Sequence, residues 1–328
     1  MSKLKNITSA LAINQGLSQL MNSDKKIFIM GEGADDYKGT FGLTLGLVDK
    51  FKTKRVMDMP IAEASFTGIA IGSALTGLKP VVIHQRCDFT LLAFDQLINH
   101  AAKFKYMFGG SLQIPLTTIA VIGKGWGQGS QHSQSFHSLF AHIPGISVVM
   151  PSNAYDAKGL LIKSIRSNKP VIYLINYKTL FEEALVPEQL FEIEFAKANL
   201  LTKGTDLTIV ALSEMVTQAK SAVDILRKRY QISAELIDLR TISPVDINSI
   251  KKSLSKTNKL LILDTSWHFA GFGQVLAGMV SEKLFTYLKK PIKILSLPDV
   301  PTPASSKLEK LYYPDVNSII NAARKLLH

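Results

Sequence analysis

Leu116-Thr117-Thr118-Ile119-Ala120-Val121-Ile122 runs for seven residues without a charge, is rich in β-branched side chains and is closed by Gly123. An uninterrupted apolar run of this length, as opposed to an alternating one, reads as a strand covered on both faces, which is the habit of parallel sheets. Comparable runs lie on either side of it, at Lys26 to Met30, Pro80 to Ile83, Ser147 to Met150 and Pro170 to Ile175. Between them the periodicity becomes helical. Ala62 to Leu75, made of small and apolar residues, reads as a closely packed helix. Phe94 to Met107 reads as an amphipathic helix, and Asn153 to Ser167 as another, with Ser152 or Asn153 available as its cap. Such alternation predicts an α/β fold with a parallel sheet.

After Tyr177 the pattern gives way to a more polar, acidic stretch, and clear periodicity resumes at Leu207, just past Lys203-Gly204-Thr205-Asp206. A second series follows: strand Leu207 to Leu212, helix Met215 to Tyr230, strand Ser233 to Asp238, helix Asp246 to Thr257, strand Lys259 to Asp264, helix Gln274 to Leu288 and strand Ile292 to Leu297. The expected organisation is two doubly wound domains, 1–185 and a smaller 205–328, joined by a linker over 186–204.

Composition narrows the function classes. With 46% hydrophobic and 20% charged residues over 328 positions, the chain has enough apolar material for two cores. The lysines near the start precede an amphipathic stretch, Thr8 to Met21, instead of the apolar core of a secretory signal. No apolar run reaches the roughly 20 residues of a membrane span. A single cysteine, Cys87, excludes an internal disulfide framework and points to a reducing cytoplasm. The net charge of +12 comes from scattered lysines that are not interleaved with aromatics, so a solvated surface explains it better than a nucleic-acid interface.

The segment Met59-Pro60-Ile61-Ala62-Glu63-Ala64-Ser65-Phe66 places one carboxylate at the entrance of an otherwise apolar helix. Taken alone, Glu63 could simply compensate the helix dipole or cap the helix. The Pro-Ile-x-Glu pattern, however, resembles that of the beta subunits of thiamine-diphosphate-dependent 2-oxo acid dehydrogenases (pyruvate, branched-chain and acetoin types). The resemblance continues through Ala93-Phe94-Asp95-Gln96, Tyr106-Met107-Phe108-Gly109-Gly110, Gln131-His132-Ser133-Gln134, Asp156-Ala157-Lys158-Gly159-Leu160, Ile237-Asp238-Leu239-Arg240-Thr241, Gly271-Phe272-Gly273 and Pro298-Asp299-Val300-Pro301. Ordered matches across nearly the whole chain are specific where any single one is weak.

The resemblance implies a transketolase-like pyrimidine-binding domain followed by a transketolase C-terminal domain. It implies that Glu63 binds the aminopyrimidine ring of thiamine diphosphate and thereby activates the thiazolium carbon. Phe89 takes the position of the aromatic that packs on that ring, although a lone phenylalanine after a strand also suits a core. His132 takes the position of an active-site histidine, in a loop with glycine at 123, 125, 127 and 129 that permits close backbone approach. A phosphate-binding loop is the rival reading of those glycines, but no Gly-Lys-Ser/Thr follows. An ordinary loop histidine is the rival reading of His132.

The chain contains no Gly-Asp-Gly, the motif that in the family holds magnesium and, through it, the diphosphate. The resemblance therefore implies a separate alpha-type subunit that mainly holds the magnesium, an alpha2-beta2 heterotetramer, and contact with a lipoyl acyltransferase. The charge of +12 fits contact with a basic binding domain of that acyltransferase poorly. Two positions depart from well-known relatives. His84 and Arg86 precede Phe89 where a more acidic and apolar run is usual, and either could face the active site; an arginine there suits a substrate carboxylate or phosphate, and a surface or subunit-interface arginine is an equally good reading. A potassium site that relatives build near residues 164–169 has Lys169 in its neighbourhood, so no metal is assigned to this chain. Three functions remain open: decarboxylation of a small 2-oxo acid, a thiamine-dependent carboligation that forms a carbon-carbon bond, and a regulatory or scaffolding subunit.

Overall fold

The computed structural model describes residues 3–327. The chain divides into two compact units, one running to Ile122 and resuming over Leu139–Glu194, the other formed by Gly123–Ser138 and the chain from Phe195 onward. The break at 194/195 falls inside the stretch expected as a linker. The residues after it are not loop, because Asn199–Thr202 is a strand. The grouping of 123–138 with the second unit was not anticipated.

In the first unit the strands are β1 (Leu4–Thr8), β2 (Ile27–Gly31), β3 (Val56–Asp58), β4 (Lys79–His84), β5 (Thr117–Ile122), β6 (Ser147–Val149), β7 (Val171–Asn176) and β8 (Glu183–Pro187). Six of them lie side by side in the order β6-β7-β5-β4-β2-β3, every pair parallel. All six positions of β5 are buried, as its unbroken apolar run requires. β1 and β8 form a separate antiparallel pair.

The helices of this part are α1 (Ser9–Ser23), α2 (Leu47–Phe51), α3 (Glu63–Leu75), α4 (Phe104–Met107) and α6 (Ala154–Arg166), and the division at 138/139 falls inside α5 (His137–His142). α1 packs along α6 and α3 against β4. Asn153 caps α6 by accepting a hydrogen bond from the Asp156 amide. The continuous helix expected over 94–107 is broken by a π turn at Gln96–Ala101, where the Ala102 amide reaches the Leu97 carbonyl at 3.0 Å. The wider turn re-phases the apolar face: Leu97 and Ala101 are buried, whereas α4 beyond it buries no side chain.

The second unit holds β9 (Asn199–Thr202), β10 (Leu207–Ala211), β11 (Ala234–Asp238), the short β12 (Thr241–Ser243), β13 (Leu260–Trp267) and β14 (Lys293–Leu297). Five of these form a sheet in the order β14-β13-β10-β11-β9, parallel except for β9. Its helices are α7 (Met215–Tyr230), α8 (Ile247–Thr257), α9 (Phe272–Leu284), α10 (Ser306–Tyr312) and α11 (Val316–Leu327). The expected helix 274–288 ends at Leu284 and passes into a tight turn, Phe285–Tyr287. α7 and α11 share a core with β10 and β13 that includes Leu207, Ile209, Leu226, Leu261, Leu263 and Ile319. Each such side chain contributes about 1.5–3 kcal/mol on burial.

Candidate active site

Parallel strands present their carboxyl ends as the place where loops can gather functional groups. In the first unit Glu32 follows β2, Asp58 ends β3 and His84 ends β4. Glu63 opens α3, the helix after β3, and is only 3% exposed. No side chain caps α3, so its first-turn amides and dipole favour the Glu63 carboxylate. Glu32 lies against Glu63. Its carboxyl is raised above the usual range first by burial, then by the Glu63 charge, a hydrogen bond between the two carboxyls, and the charge of Asp58. The group is anchored through the backbone: Asp58 accepts from the Gly33 amide at 2.7 Å, and the Glu32 carbonyl accepts from Gln85 Nε2 at 3.3 Å.

His84 is buried with its ring 5.4 Å from that of Phe66 on α3, and neither of its ring nitrogens has a hydrogen-bond partner. Burial pushes its pKa down to about 4, so the imidazole is neutral at physiological pH. Arg86 is equally buried, its Nε 4.0 Å from the buried Asp88 carboxylate. A surface arginine, one of the alternatives open for this residue, is therefore not what the fold produces. Phe89 is half-buried in the tight turn Cys87–Ala93, with its amide donating to the Arg86 carbonyl at 3.2 Å, and this turn packs against α3. Glu63, His84, Arg86 and Phe89 thus belong to one neighbourhood built by β4, the turn after it and α3.

His132 belongs to the second unit. Its loop is held at several points: Gly123 donates to the Gln134 carbonyl at 3.3 Å, Ser130 Oγ to the Thr302 carbonyl at 3.0 Å, and Lys124 sits 4.3 Å from the centre of the Tyr313 ring. Gly127 and Gly129 adopt φ of +81° and +71° and press their backbone on Ala304, where a Cβ would meet atoms at 3.1 and 3.4 Å. His132 is half-buried there.

The same loop carries a group that the sequence reading did not single out. His137 Nε2 lies 2.7 Å from Asp264 Oδ1, and its Nδ1 lies 2.9 Å from Ser135 Oγ. Asp264 Oδ2 also accepts from Ser266 Oγ at 2.5 Å and from the Gly273 amide at 2.7 Å. These donors and the His137 charge outweigh burial and hold the Asp264 pKa down at about 2. Ser135, His137 and Asp264 match a hydrolytic triad in residue type but not in access. His137 and Asp264 are fully buried, and the adjoining cavity holds about 10 Å³, room for one water. The constellation is a tie between the loop and β13. The two partners lie 127 residues apart, and no local pattern announces the pairing. Glu32, by contrast, could have been found from its place after a parallel strand.

Among the described residues no group of three His, Cys, Asp or Glu side chains is placed to hold a metal ion, and no helix is long and apolar enough to cross a membrane.

Comparison with known proteins agrees with this architecture. Residues 5–181 match the family model of the transketolase pyrimidine-binding domain and residues 196–319 that of the transketolase C-terminal domain. The pyruvate dehydrogenase E1 component subunit beta of Rickettsia felis is 39% identical over 322 residues, 98% of each chain. The mitochondrial protein of the same name from Saccharomyces cerevisiae is 38% identical over 99% of this chain and 90% of its own length. The beta subunit of acetoin:2,6-dichlorophenolindophenol oxidoreductase from Bacillus subtilis is 39% identical over 98% of this chain and 97% of its own. In fold, the chain is similar to a split-gene transketolase solved as an inactive beta4 tetramer, with a TM-score of 0.80 at 21% identity over 98% and 99% of the two chains. The chain belongs to the family of beta subunits of thiamine-diphosphate-dependent 2-oxo acid dehydrogenases.

Proposed function

We propose that this chain supplies the pyrimidine-binding part of the active site of an enzyme that decarboxylates a small 2-oxo acid, and that it acts with an alpha-type subunit in an alpha2-beta2 assembly. The observation that carries the reading is the buried Glu63 carboxylate at the uncapped start of α3, facing the raised carboxyl of Glu32 at the carboxyl edge of the sheet. A desolvated carboxyl with a protonable neighbour suits a ring nitrogen that must be held in one protonation state, so these residues fit the aminopyrimidine half of thiamine diphosphate. The sequence carries no Gly-Asp-Gly, so magnesium and the diphosphate are assigned in this reading to the alpha-type partner. When bound, the cofactor supplies an electron sink for the carbon that loses carbon dioxide.

In this reading Glu63 holds a proton at the ring nitrogen, and Glu32 keeps that proton from escaping to water. Phe89 packs its half-buried ring on the heterocycle. Arg86, buried with its Nε 4.0 Å from Asp88, is assigned to favour the carboxylate of a 2-oxo acid from behind Phe89, with His84 at the end of β4. His132 moves a proton or assists acyl transfer from its pinned loop. The single buried Cys87 suits a reducing cytoplasm. Acyl transfer to a lipoyl acyltransferase is the natural continuation.

Glu63→Gln keeps the shape and removes the acid. In the assembled holoenzyme, hydrogen-deuterium exchange at the thiazolium carbon should slow by about 100-fold or more. Exchange at the wild-type rate would refute the assignment.

A further inference from the structure

At the opposite, amino-terminal edge of the first unit's sheet, a cavity of about 700 Å³ opens beside α4 and the residues that lead into β6 and β7. That volume lies within the range of small-molecule sites. Its walls are mostly apolar, with Ala102 and Pro170 among them and the highly exposed Tyr106 at the rim. Three lysines, Lys103, Lys105 and Lys169, also line it, and no acidic side chain does. Lys169 is half-buried. Its pKa is lowered first by burial and then by the charges of Lys105 and Lys163. Cationic groups crowded over an apolar wall raise one another's energy, and an anion seated among them relieves that repulsion while an attached apolar body covers the wall.

We propose that this cavity binds an organic carboxylate with an apolar body, its carboxylate among Lys103, Lys105 and Lys169 and its hydrocarbon along Ala102 and Pro170. An inorganic anion would leave the wall wet, and a neutral lipid would leave the lysines in repulsion. The site is remote from Glu63 along the strands and does not depend on the cofactor reading, so its failure and that of the cofactor reading are distinguishable.

The probe is octanoate, titrated by calorimetry into the full-length chain and into the chain assembled with its alpha-type partner, with acetate, phosphate and 1-octanol in parallel. We expect octanoate to bind about tenfold or more tightly than any of the three, in both samples, and to lose about tenfold in affinity in Lys105→Ala and in Lys103→Ala. Both lysines are at least partly exposed, and unchanged melting curves establish that the variants fold. Equal binding of 1-octanol would reduce the cavity to an apolar patch, and equal binding of phosphate or acetate to a surface charge effect. Loss of octanoate binding on assembly would mark the cavity as the partner's seat. Any of these three results overturns the proposal.

Discussion

Asp264→Asn tests whether the buried tie to His137 is a source of stability. The Asp264 carboxyl titrates at about 2, against an ordinary value of 3.8, a difference of somewhat under 2 pH units. At roughly 1.4 kcal/mol per unit, ionised Asp264 contributes about 2–3 kcal/mol at neutral pH. Asparagine keeps the shape but carries no charge, and its amide group directs a donor toward one of the donors that now surround the carboxylate. For a unit of this size a loss of that order lowers the melting temperature by about 5–10 °C. Because the native pKa is depressed, the contribution is complete above about pH 4 and disappears as the pH falls toward 2. Melting curves of wild type and variant, followed by circular dichroism from pH 7 to pH 2.5, should therefore be well separated at pH 7 and converge at the acid end. Coincident curves at neutral pH, or a gap that persists undiminished into acid, would refute the argument.

Glu32 runs the other way. Its raised pKa means that the ionised carboxyl opposes folding above its native pKa, so Glu32→Gln should melt slightly higher than wild type near neutral pH and coincide with it below about pH 4.5; a variant that melts lower at pH 7 contradicts the repulsion. Gly273→Ala brings a Cβ to 2.9 Å from Ile294 Cγ2 beside the amide that Asp264 accepts. It should cost about 1–3 kcal/mol, readable in urea unfolding. His84→Phe exchanges an imidazole with two unpartnered nitrogens for an apolar ring against Phe66, so stability should stay within about 1 kcal/mol of wild type or rise. A loss greater than about 1 kcal/mol in urea unfolding would contradict this reading of the imidazole.

What could be read from the sequence was whatever depends on neighbours along the chain. The five strand runs of the first unit reappear within about one residue of their expected ends. Helix 215–230 is observed over those residues, and Asp246 caps α8 where the pattern placed its start. The misses have physical reasons. β9 is an antiparallel edge strand in a polar stretch, only partly buried, so its periodicity is faint. The π turn at 96–101 widens one helical turn to fit its surroundings, and no propensity encodes that. At the candidate site Glu63 and His132 stood out by motif, and Glu32 sat unnoticed beside a legible strand. His137 and Asp264 could meet only through the fold.

The passage of residues 123–138 into the second unit bears on any attempt to dissect the chain. A fragment begun at residue 195 would keep every strand of the C-terminal sheet yet lose the one imidazole that faces Asp264. That fragment would carry an ionised carboxylate in its interior with a donor missing, a defect of several kcal/mol in a domain of ordinary marginal stability. Protein engineers who cut at the apparent linker should expect an insoluble product, and a circular permutant or fusion that restores the 123–138 segment should be the smallest soluble form. The two units are interleaved in sequence, so shuffling them among relatives requires one crossover on each side of that segment and one more at 194/195.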